Sequence, residues 1–143
     1  MTNAGDPLAM AKRAIAKVKH EEAGSRSAFV DRFLQFDTNL IGQNPDRDNK
    51  MYGVAKNAGL TLIRQNICFE SFLLRHFNGH ENDCPATNAE ALSRLRGVWP
   101  EYGKGTPAQD LAKRIQHEDV QKAARNNLNS DFTTLLNALG LIE

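Results

Sequence analysis

The sequence predicts an all-α protein: a single domain over residues 1–143, built as an irregular bundle of about six to seven helices. Three observations carry this. Residues 54–77, VAKNAGLTLIRQNICFESFLLRHF, hold the densest apolar content of the chain, with no Pro and with Gly59 as the only Gly. On a helical wheel, Ala58, Leu62, Ile63, Ile67, Phe69, Phe72, Leu73, Leu74 and Phe77 cover more than half the circumference, the signature of a buried helix. Helix start and stop residues recur along the chain, and no stretch reads convincingly as a strand.

The elements follow in order. Asp6-Pro7 opens a first helix, because Asp caps orphan N–H groups and Pro suits the first helical position. Leu8, Ala11, Ile15 and Val18 give it a thin apolar stripe, Lys12, Arg13, Lys17 and Lys19 a solvated face, and Gly24 a stop. A second helix is expected after Ser27, from the spacing of Phe29, Phe33, Phe36 and Leu40, ending at Gly42. Residues 43–50 read as a polar loop. The long central helix is expected over about residues 51–78, with Gly79 as its C-cap. Its narrow polar seam is Asn57, Thr61, Arg64, Cys68, Ser71 and Arg75. Such a seam would place Arg64 and Arg75 about 16 Å apart on nearly one bearing.

After a loop through Cys84-Pro85, Thr87 with Glu90 forms a capping box, and Leu92, Leu95 and Trp99 give that helix its inner face. Thr106-Pro107 with Gln109 starts another. The apolar phase breaks at residues 116–118, so a further helix is expected from about residue 119. Ser130 opens the last helix, which carries Phe132, Leu135, Leu136 and Leu139 and stops at Gly140.

Bulk composition narrows the function classes. Lys and Arg number 18 against 17 Asp and Glu, a net charge of +1, which lacks the basic excess of a strong nucleic-acid binder. No apolar run has the length of a membrane span, and the N-terminus lacks the apolar core of a secretory signal. Cys68 and Cys84 are too few for a disulfide scaffold, so a cytoplasmic location is expected.

Three constellations bear on chemistry. The segment RHFNGH places Arg75 and His80 with four residues between them. It resembles the R-x4–6-H motif of HEPN-type helical ribonucleases, which implies Arg75 as the phosphate-binding cation and His80 as the acid/base. Residues 106–142, with TPAQDLAKRI, VQKAARNN and DFTTLLNALGL, resemble the helix-turn-helix of Cro/repressor-type proteins. That resemblance implies DNA contacts from Gln121, Lys122, Arg125 and Asn126. His76, His80 and Cys84, with Asp83 beside them, are zinc-ligand types at i, i+4 and i+8. Gly79 and Pro85 interrupt the helix that this spacing requires, so no metal and no cofactor are expected. No Gly-rich phosphate loop or Gly-x-Ser-x-Gly nucleophile motif is present.

The preferred reading is therefore a small non-catalytic interaction or accessory protein that acts through its helix faces. A protein is the expected partner and nucleic acid the alternative one. Arg64, Arg75, Lys122 and Arg125 are the candidate contacts.

Overall fold

A computed structural model describes residues 5–25, 28–126 and 130–142. It is mostly helical, but it is not all-α. Among the described residues it contains seven α-helices, one 3-10 turn and a two-stranded parallel sheet. The chain forms two compact units, residues 1–63 and 64–143.

In the first unit, α1 spans Pro7–Gly24. The Asp6 carboxylate accepts the Leu8 N–H at 2.9 Å, and Pro7 sits where a missing N–H costs nothing. Strand β1, Phe33–Asp37, leads into a 3-10 turn at Thr38–Leu40. Helix α2 spans Pro45–Asn57, with the Asn44 side chain accepting from the Arg47 N–H at 3.0 Å. Strand β2, Thr61–Gln65, then pairs with β1 and carries the chain into the second unit, to which Arg64 and Gln65 belong. Parallel strands need a crossover between them, and α2 supplies it. Ala11, Phe36 and Met51 form the buried core here, flanked by Leu8, Met10, Leu34, Ile41 and Leu62.

These elements overturn three expectations. The helix expected between Ser27 and Gly42 is β1 and the 3-10 turn. Leu34 and Phe36 share a core face at the two-residue period of a strand, although Phe33 and Phe36 also fit a helical spacing. The loop expected at 43–50 is mostly the first turns of α2, opened by the same cap-then-Pro chemistry as α1. The long central helix over 51–78 is three elements, not one. Gly59 takes φ +65°, the left-handed conformation that stops a helix, and the Leu60 N–H returns to the Ala55 carbonyl at 2.9 Å. Past that stop, Thr61, Leu62 and Ile63 suit a strand.

In the second unit, α3 spans Phe69–Leu74 and α4 spans Asn88–Val98. The Thr87 hydroxyl caps α4 by accepting the Glu90 N–H at 3.1 Å. Glu90 in return accepts the Ala86 N–H at 2.8 Å, one residue earlier than a strict capping box. Helix α5 is Ala108–Arg114, α6 is His117–Ala124 and α7 is Ser130–Ala138. The break expected at residues 116–118 falls earlier, at 115–116, and α6 already includes residues 117 and 118, because the Asp119 carboxylate accepts the Gln116 N–H at 2.9 Å and sets Gln116 as the cap. Helix α3 packs on α4, and α6 on α7. Phe72, Leu73, Leu74, Leu95, Trp99 and Tyr102 form the core, with Phe77, Leu111, Ile115 and Phe132 against it. Among the described residues, no helix is long and apolar enough to cross a membrane.

Candidate functional site

Arg75 follows α3 and is 1% exposed. Its Nη2 donates to the Asn66 carbonyl at 2.5 Å and its Nη1 to the Asp83 carbonyl at 3.2 Å. Burial pulls the guanidinium below its ordinary pKa. This side chain ties together two non-helical segments through their carbonyls, and the Asn66 carbonyl also accepts from the Ser71 hydroxyl at 2.8 Å. Arg64 is elsewhere: it lies in β2, half-exposed, and grips Asp131 in the first turn of α7. Its Nε and Nη2 reach the two carboxylate oxygens at 2.6 and 3.1 Å, and its backbone N–H adds a third bond at 3.0 Å. The two arginines therefore do not share a helix seam.

His80 is in the loop after α3, with Nδ1 at 2.9 Å from Asp83 Oδ2. Asp83 also receives Arg94 at 3.3 Å. The hydrogen bond from His80, then that from Arg94, hold the Asp83 carboxyl below the usual carboxylate range. Arg75 and His80 thus meet the same residue at different points, Arg75 at its backbone and His80 at its side chain. His76 is buried, and its Nδ1 is 3.0 Å from the Phe72 carbonyl. Its ring meets Phe72 and Phe132 edge-on. Cys68 is buried and Cys84 exposed. Among the described residues, no three His, Cys, Asp or Glu side chains are grouped to hold a metal.

The imidazole of His76 makes stability pH-dependent. Burial pushes its pKa below the usual 6.5, against the smaller opposing effect of the Phe72 hydrogen bond. The unfolded chain takes up a proton at about pH 6.5 and the folded chain only lower. The contribution is therefore complete above that value and is lost as pH falls from it toward the folded pKa. Asp131, held down by Arg64, and Asp83 act lower still, in the carboxylate range. In urea midpoints taken between about pH 7 and pH 5, His76→Phe should flatten the acid-side decline. An unchanged slope would mean that the ring titrates alike in both states.

The four side chains that the DNA-binding resemblance singles out are divided. Lys122 pairs with Glu81 and donates to Asn78 Oδ1 at 2.8 Å. The Asn126 amide donates to the Glu81 carbonyl and to Asn82 Oδ1. Both face the loop that follows α3, within their own unit. Gln121 bonds His117 at 3.1 Å. Arg125, at the C-terminal end of α6, is exposed and makes no side-chain hydrogen bond or ion pair among the described residues. It borders a cleft of about 470 Å³ lined also by Gln121, Ala124, Thr133, Gly140, Leu141 and Ile142. Thr133 Oγ1 donates to the Ala124 carbonyl at 2.5 Å and joins the two helices at its floor. Leu141, which lines it, is 46% exposed, and Leu139, two residues earlier in the chain, is 59% exposed.

Sequence reasoning misses this cleft and the acids Glu81 and Asp131, and it sets Asp83 only beside a metal-ligand spacing. The pairings of Glu81 with Lys122, Asp83 with Arg94 and Asp131 with Arg64 join residues from separate elements, so spacing along one helix carries no sign of them. The signal that is present is the apolar run through Leu139, Leu141 and Ile142 past the Gly140 stop. No family model, no curated protein and no solved structure matches the chain.

Proposed function

We propose that this chain is a non-catalytic helical accessory protein that binds a protein partner through the cleft between α6 and α7. The partner segment sets an acidic side chain against Arg125 and an apolar one against Leu139 and Leu141. The observation that carries this reading is an uncommitted guanidinium, Arg125, and a half-exposed leucine, Leu141, lining one cleft. Exposed apolar groups rimmed by polar ones are typical of contact surfaces, and Arg is favoured at them. The engagement of Lys122 and Asn126 with the 78–82 loop favours protein over DNA, since it leaves few groups to meet phosphates. Arg75 supports a non-catalytic reading too, because its donors already serve backbone carbonyls.

The test is affinity capture from the native cell, with the bound fraction measured for wild type and for Arg125→Glu combined with Leu141→Asp. The expected result is at least a tenfold loss of one specific protein from a variant that keeps the wild-type helical spectrum. Capture that survives in the variant sinks the reading. Capture that disappears on nuclease treatment replaces the protein partner with nucleic acid.

A further inference from the structure

A second cavity in the same unit, about 430 Å³, is lined by His76, Phe77, Asn78, Val98, Arg114 and Asp119. Its volume is in the range of small-molecule sites, ~300–1,000 Å³. Its polar groups are half-committed, and what remains is specific. A carbonyl oxygen only accepts, so the His76 Nδ1 facing the Phe72 carbonyl at 3.0 Å carries the ring proton. Nε2 is then a bare acceptor. His76 is 6% exposed, and its Nε2 has no hydrogen-bond partner among the described residues. The imidazole is one of the polar groups that line the cavity.

The other groups sort by sign. Asp119 spends Oδ2 on the Gln116 N–H, which leaves Oδ1. Its charge is near enough to act on the imidazole. Arg114 spends Nη2 on the Val98 carbonyl at 3.0 Å and lies over the Phe77 ring, 5.4 Å from the centroid. Its remaining N–H groups are donors for an anion. Asn78 gives its Oδ1 to Lys122 and keeps its NH2. Phe77 and Val98 form an apolar wall between them.

Two acceptors suited to an ammonium thus stand in one cavity with two donors suited to a carboxylate and an apolar wall. We propose that this cavity binds a free α-amino acid with an aliphatic side chain. The ammonium donates to His76 Nε2 and Asp119, the carboxylate accepts from Arg114 and Asn78, and the side chain lies on Phe77 and Val98. Both the acceptors and the donors of the cavity then have a partner of opposite sign, which neither an anion alone nor a cation alone supplies.

The test is a titration of the isotope-labelled full chain, followed by amide and imidazole nitrogen shifts. L-Leucine is compared with 4-methylpentanoate, which lacks the amine, and with isopentylamine, which lacks the carboxylate. L-Leucine is expected to shift the signals of residues 76, 78, 114 and 119 together, His76 Nε2 most, with each control at least tenfold weaker. Arg114→Gln should bring the affinity for L-leucine down to that of the amine control, and Asp119→Asn down to that of the carboxylate control. An equal response to L-leucine and either control overturns the proposal, as does no shift at these residues at millimolar leucine. The ligand series uses wild-type protein, so it decides the proposal even where a variant fails to fold.

Discussion

Arg75→Ala is expected to cost about 3–5 kcal/mol of stability. The side chain is almost wholly buried and serves the carbonyls of Asn66 and Asp83. A hydrogen bond from a charged donor contributes about 1.5–3 kcal/mol, and truncation here removes at least two. It also empties the volume of the largest fully buried side chain among the described residues. Arg75→Lys should recover only part of the loss, because one ammonium cannot span two carbonyls as the planar fork does. Urea unfolding followed by circular dichroism measures both. A fully stable Arg75→Ala would show that the guanidinium does not hold these carbonyls in solution, and would restore the phosphate-binding role that the ribonuclease resemblance implies.

The sequence sets Arg75 on a polar seam only if one helix runs through residues 51–78. That reading treats Gly59 as a tolerated glycine inside the helix, yet its positive φ ends α2 and lets Thr61–Gln65 extend. Local chemistry is readable at several caps but not at Thr106: the capping box expected there is not formed, because its hydroxyl turns back to Gly103 and Pro107 takes the cap position of α5, not its first helical position. Asp6-Pro7 and Thr87 open α1 and α4 where the sequence places them, α7 starts at Ser130, and α6 starts at His117, two residues before the expected start. The two strands are not readable in the same way. Each is five residues long, and over so short a span a two-residue period and a helical one select many of the same positions. Tertiary partners are less readable still. The grip of Arg64 on Asp131 spans 67 residues, and that of Lys122 on Asn78 spans 44. Only the fold brings such pairs together. Of the four candidate contacts, Arg125 alone keeps an uncommitted charge among the described residues, and nothing in the sequence separates it from Lys122 one turn earlier.

Two leucine truncations should separate the core of the second unit from its surface. Leu95 is fully buried on α4 and clusters with Phe72, Leu73, Leu74, Trp99 and Tyr102. Leu95→Ala removes methyl groups from a site enclosed by bulky rings that cannot close over the gap, so a loss of about 2–5 kcal/mol is expected. Leu139 lies just past α7 and is 59% exposed. The same truncation there should move stability by under about 0.5 kcal/mol. It should instead lower capture of the protein partner, because the lost contact exists only in the complex. Thermal unfolding of the two variants, read beside the capture assay, gives opposite rankings if the cleft beside Leu139 is a docking surface. Equal destabilisation would mean that Leu139 is already covered within the folded chain, and the proposed surface would not be there to bind.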